Sequence, residues 1–172
     1  DGIILKGVGK DFNWEFMRRY LVAGDIITLP DSNMSRQILV SQQTADRLKA
    51  GVGDRIEINF IEKGNIIPRR LEIVGTYRTG LEEYDRNFAL VDIRQVQRIL
   101  GWSEDQVSGF EIFVDHVDDV NIITEYIYTE ELSTTLYSET VRDKFPAIFE
   151  WLELQDINEI VIIILMLVVS II

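Results

Sequence analysis

The chain has 172 residues, enough for one or two domains with a buried core. Its 17 basic and 29 acidic side chains leave a net charge of −12, and no basic stripe of the kind a nucleic-acid binder carries is present. Cysteine is absent, which excludes disulfides, zinc-thiolate centres and thiol nucleophiles.

The first residues, Gly2-Ile-Ile-Leu-Lys-Gly, read as a strand already under way, too short and wrongly flanked for a signal peptide. Asp1 is not a methionine, so the chain is expected to be a fragment of a longer protein. A short apolar run at 38–40 predicts a strand, and Ser41 then caps a helix over 42–50 with Ala45 and Leu48 inward. Gly51 and Gly53 end that helix. In 54–61, Ile56, Ile58 and Phe60 alternate with Arg55, Glu57 and Asn59; in 70–78, Leu71, Ile73 and Tyr77 alternate with Glu72 and Thr76. Another strand is expected at 88–91. Asp92 with Gln95 three residues on reads as a capping box, opening a helix that buries Val96, Ile99 and Leu100 and stops at Gly101.

The seam of the chain is expected at 101–109. Beyond it, Phe110, Ile112 and Val114 alternate with Glu111 and Phe113, predicting a strand over 108–115. Asp118 opens a helix with Val120, Ile123 and Ile127 at helical spacing, and a strand follows near 135–138. A last helix starts around 140–146, where proline is tolerated in the first turn, and continues unbroken to the end.

Residues 160–172 carry no charge and one hydroxyl. Thirteen residues, about 20 Å of helix, fall short of the roughly 20 residues a spanning helix needs. Two readings fit: a spanning helix that continues beyond residue 172, or a buried core helix. The missing polar stripe favours the first.

Reactive constellations are thin. His116 is the only histidine, beside Asp115 and Asp118, and reads as a solvated turn residue, since one histidine cannot build a usual zinc site. The acids Glu82, Glu83 and Asp85 read as exposed loop charge and lack the calcium-loop pattern. Gly7-Val-Gly9-Lys10 and Gly51-Val-Gly53-Asp54 are only fragments of phosphate-loop patterns. No enzyme activity and no cofactor are expected.

Six segments in order resemble one family: Gly2-Ile-Ile-Leu-Lys-Gly-Val, Ile38-Leu-Val-Ser-Gln-Gln-Thr-Ala-Asp-Arg-Leu, Gly53-Asp-Arg-Ile-Glu-Ile, Leu71-Glu-Ile-Val-Gly-Thr-Tyr-Arg-Thr-Gly-Leu-Glu-Glu-Tyr-Asp, Val107-Ser-Gly-Phe-Glu-Ile-Phe-Val and Phe145-Pro-Ala-Ile-Phe-Glu-Trp-Leu. Together they resemble the extracytoplasmic region of lipoprotein-releasing ABC transporter permeases (LolC/LolE type), within the wider MacB/FtsX-like permease superfamily. The resemblance implies an α+β, two-lobed periplasmic domain in the bacterial inner membrane. Residues 1–106 would be the mixed sheet-and-helix insertion lobe of a MacB-like periplasmic core domain. Residues 107–150 would be the C-terminal half of a membrane-proximal β-α-β lobe, and 151–172 a coupling helix and the start of a transmembrane helix.

The resemblance also implies a non-catalytic subunit whose ATP is bound and hydrolysed by a separate cytoplasmic subunit. Its other partners would be a second permease copy or related subunit, lipoprotein cargo, the membrane and a periplasmic lipoprotein chaperone. The hairpin that recruits the chaperone would map to Lys63, Gly64, Asn65, Ile66, Ile67 and Pro68, with a turn at Gly64-Asn65. The coupling helix would act through Phe149, Trp151, Leu152 and Leu154. Alternatives are an export or mechanotransmission permease of the same superfamily, or a scaffold that activates a periplasmic hydrolase.

Overall fold

The computed structural model describes residues 2–62, 65–133 and 136–171. It is mixed α/β with a mixed sheet, and the chain divides into two compact units, Asp1–Gly109 and Phe110–Ile172.

In the first unit the elements run β1 (Ile4–Val8), α1 (Trp14–Arg18), β2 (Leu21–Gly24), β3 (Gln37–Ser41), α2 (Gln42–Leu48), β4 (Arg55–Glu62), β5 (Asn65–Tyr77), α3 (Glu82–Asn87), β6 (Phe88–Asp92) and α4 (Ile93–Leu100). The sheet order is β1-β6-β3-β5-β2, with β4 also paired to β5. At its centre β3 and β6 are antiparallel, with Leu39 opposite Leu90, while β5 runs parallel to β3 and β1 parallel to β6. These relations define a local two-fold axis at the Leu39–Leu90 pair. It relates two copies of one motif, a buried strand whose last residue caps the following helix: β3-Ser41-α2 and β6-Asp92-α4. No sequence repeat announces this symmetry.

Both caps follow from side-chain chemistry. Ser41 Oγ accepts from the Thr44 amide at 3.0 Å, and Asp92 Oδ1 from the Arg94 amide at 3.0 Å. The second site is not the expected capping box. Gln95 does not reach back to the cap; its Nε2 donates to the Ser35 carbonyl at 2.7 Å. At the C-termini, Gly101 takes the left-handed conformation (φ 67°). In α2 that position falls on Lys49 (φ 53°), ahead of the glycines expected to stop the helix. Leu48 and Leu100, the last residues of their helices, are also exposed rather than inward.

Strand alternation sorts the core into two clusters. One contains Ile38, Val40, Ala45, Leu71, Ile73, Ala89 and Val91, with Val96 of α4 packed against it. The other contains Val8, Met17, Ile27, Leu39, Tyr77 and Leu90, with Tyr84 of α3 beside it. The sheet is therefore covered on both faces, and a fully buried Ile or Leu side chain contributes about 2 kcal/mol. The expected single face for Leu71, Ile73 and Tyr77 is broken by a bulge: Ile38 pairs with Ile73, but Leu39 pairs with Gly75. The extra residue, Val74, turns Tyr77 to the opposite face. There its hydroxyl donates to the Phe88 carbonyl at 2.8 Å, and burial, followed by the nearby Tyr84 and Asp85, raises its pKa far above the usual phenol range. At β1, Gly7 lets α4 close in: a Cβ there would lie 2.9 Å from the Ile93 Cα.

Residues 25–36 cross the sheet's end as a strap fastened by the β6–α4 junction. Asp92 Oδ2 accepts from the Ser35 amide at 2.8 Å and from Arg94 Nη2 at 2.6 Å, and Arg94 Nη2 donates to the Pro30 carbonyl at 3.0 Å. Burial works to raise the Asp92 pKa, but the Arg94 and backbone donors outweigh it and hold the carboxyl below the ordinary range.

In the second unit, a 3₁₀ turn (Val117–Asp119) leads into α5 (Val120–Tyr126) and a π-helical turn (Ile127–Glu131). Then come α6 (Val141–Lys144) and α7 (Pro146–Ile171). The strand expected over 108–115 does not form, and the part of 135–138 within the described residues is not a strand either. Alternation supplies faces, but a strand also needs a neighbouring strand to bond to, and no strand is formed among the described residues of this unit. The expected last helix is two helices. Thr140 caps α6 through a reciprocal capping box with Asp143, Phe145 (φ −130°, ψ 57°) breaks the helix, and Pro146 starts α7.

Candidate docking ribbon and terminal helix

Past the sheet, β5 keeps only one neighbour. Its residues 72–77 pair with β3, whereas 65–71 pair with β4 alone, from Ile56↔Leu71 to Glu62↔Asn65. Seven cross-strand pairs thus project as a two-stranded ribbon, about 20 Å at the usual antiparallel rise.

Directly opposed residues share a face, so the register assigns both sides. One face carries Ile56, Ile58 and Phe60 against Leu71, Arg69 and Ile67. Ile56 and Ile58 reach back to the sheet's core cluster and tie the ribbon's base to it. The other face carries two ion pairs, Arg55–Glu72 at 3.7 Å and Arg70–Glu57 at 3.1 Å, then Asn59 opposite Pro68 and Ile61 opposite Ile66. Ile61 is 81% exposed and Ile66 67%. The ribbon therefore ends in a paired isoleucine surface that nothing among the described residues covers. The charged pairs below it are solvated and add little stability; they keep the arm soluble and its exposed edge unattractive to stray strands.

Of the hairpin residues expected to dock a partner, Lys63 and Gly64 lie outside the described residues. Asn65 is a strand residue paired with Glu62, not the second residue of a turn. Ile66 is at the exposed tip, while Ile67 is half-buried on the opposite face, so the two isoleucines do not act together. Pro68 sits where β5 has one neighbour only, an edge position that tolerates a missing N–H. Ile61 is the residue that sequence reading missed. Its signal was the broken alternation at Phe60-Ile61, which puts an isoleucine on the polar face.

The acidic loop near residue 80 also differs from expectation. Glu82 and Glu83 are exposed at the start of α3, but Asp85 is buried and closes its own loop. Its carboxylate accepts from the Thr79 amide (3.0 Å), the Thr79 hydroxyl (2.8 Å) and the Gly80 amide (3.1 Å). A shallow depression of about 310 Å³ beside it is lined by Gln43, Asp46, Arg78 and Glu82. His116 is exposed ahead of the 3₁₀ turn. Among the described residues no group of histidines and acids is placed to hold a metal.

Helix α7 is continuous over 26 residues, about 39 Å at the helical rise. Phe149 is half-buried under Arg142, whose guanidinium lies 5.4 Å from the ring centroid. Trp151, Leu152 and Leu154 are exposed, as are the apolar side chains from Ile160 to Leu167. No helix among the described residues is long and apolar enough to cross a membrane. In α7 the acids Glu150, Glu153, Asp156 and Glu159 occupy the first half and confine the apolar run to the second.

No family model matches this sequence, and none of the curated proteins compared with it does.

Proposed function

We propose that this chain is the extracytoplasmic region of an ABC transporter permease subunit of the lipoprotein-releasing type. In this reading it holds no reactive centre: it passes motion between an ATP-driven membrane domain and a periplasmic partner that receives an acylated cargo. The observation that carries the reading is the projecting ribbon with its uncovered Ile61–Ile66 tip. An arm anchored through Ile56 and Ile58 and exposed at its end is built to dock rather than to pack. Two further features agree. The six ordered segments resemble that family, and α7 is apolar on all sides in its second half, as the start of a membrane helix would be.

Under this proposal Ile61→Asp with Ile66→Asp abolishes capture of the periplasmic lipoprotein carrier by the purified permease and leaves the fold intact. Depletion of the protein, followed by membrane fractionation, retains outer-membrane-directed lipoproteins in the inner membrane. Normal lipoprotein sorting after depletion removes the lipoprotein assignment; undiminished capture by the double variant removes the ribbon's role.

A further inference from the structure

The second unit carries nearly all the charge of the protein. Residues 110–172 hold 13 of the 29 acidic side chains but only 2 of the 17 basic ones, a net −11, whereas residues 1–109 are net −1. Within this unit one helical face stands out. Asn121, Thr124, Glu125 and Tyr128 follow the spacing i, i+3, i+4, i+7, which in a surface helix is normally the apolar stripe that packs on a neighbour. Here the stripe is polar, and with residues 138–143 it lines a depression of about 320 Å³. Tyr128 belongs to the π-helical turn, an irregularity that recurs at functional sites.

The remaining lining supplies an atom that the fold itself does not use. Ser138 Oγ is buried and has no hydrogen-bond partner among the described residues, although a buried hydroxyl normally finds one. Beside it, Asp143 Oδ2 accepts from the Thr140 hydroxyl at 2.7 Å and the Thr140 amide at 3.1 Å. Those two bonds hold the carboxyl below the ordinary range, so it is ionised at neutral pH. Its Oδ1 accepts from no described residue, and neither does the Glu125 carboxylate. The unit's two basic side chains do not answer them. Arg142 lies over the Phe149 ring, and neither it nor Lys144 lines the depression.

We infer that this depression binds a small organic ammonium ion, with Glu125 and Asp143 accepting its N–H groups and the Tyr128 ring packed against it. Chemistry selects the class. Ionised carboxylates only accept, so the ligand must bring donors, and charged donors make the stronger bonds. A tyrosine ring beside them adds attraction for a cation. An anion is repelled by the unit's net charge. A hard metal ion wants six or more oxygens, and no group of three acids or histidines is assembled among the described residues. Ser138 and Asn121 are left to bond a hydroxyl or further N–H of the same ligand. The site lies wholly within the second unit and does not depend on the transporter reading.

The test titrates the isotope-labelled full chain with ethanolamine, followed by nuclear magnetic resonance at fixed ionic strength. Ethanolamine is expected to shift the Asn121 side-chain amide and the backbone amides of Glu125 and Ser138, saturating at concentrations on the order of millimolar. Ethylene glycol has the same size without the charge, and tetramethylammonium has the charge without N–H donors. Each should bind at least about tenfold more weakly. Glu125→Gln, isosteric and at an exposed position, should weaken ethanolamine by about tenfold and leave the circular dichroism unchanged. Ser138→Ala should weaken it by about threefold, the loss of one neutral hydrogen bond. Equal binding of ethanolamine and ethylene glycol, unchanged affinity in Glu125→Gln, or shifts that fail to saturate or spread over the whole acidic surface would overturn the inference.

Discussion

The two halves of this molecule start from similar raw material and end differently. Residues 71–77 and 108–115 both alternate apolar and polar side chains, yet the first is the spine of a sheet and the second is a largely exposed run outside any strand. The difference is the neighbour. β5 has β3 on one side and β4 and β2 on the other, so its backbone groups are paired and its apolar faces are covered. Residues 110–114 have the pattern but form no strand, and alternation alone does not make one.

Mutations at equivalent apolar positions break this comparison most directly. Ile73→Ala, at a site with no exposure, should cost the first unit about 3 kcal/mol through lost burial and a cavity. Ile112→Ala should change stability by less than about 0.5 kcal/mol. Urea melts of the two variants decide the matter, and equal losses would mean that the second unit has a core of its own.

The strap comes next in size. Asp92→Asn removes a charged acceptor from Ser35 and Arg94 and should cost about 2 kcal/mol near neutral pH. Because the folded-state pKa lies below the ordinary carboxylate value, this contribution is complete above that ordinary value and is lost as pH falls through the lowered one. Stability curves of the wild type and the Asp92→Asn variant, measured against pH, should therefore converge in acid. A gap that persists there would detach the strap from the Asp92 charge.

Caps sharpen the contrast on a smaller scale. Ser41→Ala should lower the stability of the first unit by about 1 kcal/mol, because its helix packs on a folded sheet. Thr140→Ala removes a better-formed box, yet it should leave unfolding of the first unit unmoved and reduce only local helicity in circular dichroism. Smallest of all is the left-handed Lys49. Lys49→Gly should raise the melting free energy by about 0.5 kcal/mol, since glycine takes that conformation without strain.

What the sequence makes legible follows the same division. Ser41, Asp92 and Gly101 act locally, within a few residues of what they contact, and their roles at the helix ends can be read directly. The Val74 bulge cannot, because it is defined by the register against β3. Gln95 and Gln97 are buried polar residues of α4. Gln95 serves Ser35, 60 residues away, and Gln97 donates to the Glu104 and Gln106 carbonyls, folding the chain after α4 back on itself. A capping-box pattern at Asp92 and Gln95 was therefore a true cap with a misassigned partner. At the candidate site, Ile66 and Pro68 stood out by their place in a hairpin, but Ile61 emerges only from the pairing.

Residue-resolved amide hydrogen exchange of the free chain tests the central claim most directly: that the first unit is a self-sufficient frame carrying the ribbon, while the second is acidic and, among its described residues, buries no apolar side chain. The account predicts that amides of β3 and β6 exchange only through global unfolding, and that those of α5, which has no buried residue, exchange far faster. Protection in α5 equal to that of β3 and β6 would contradict it.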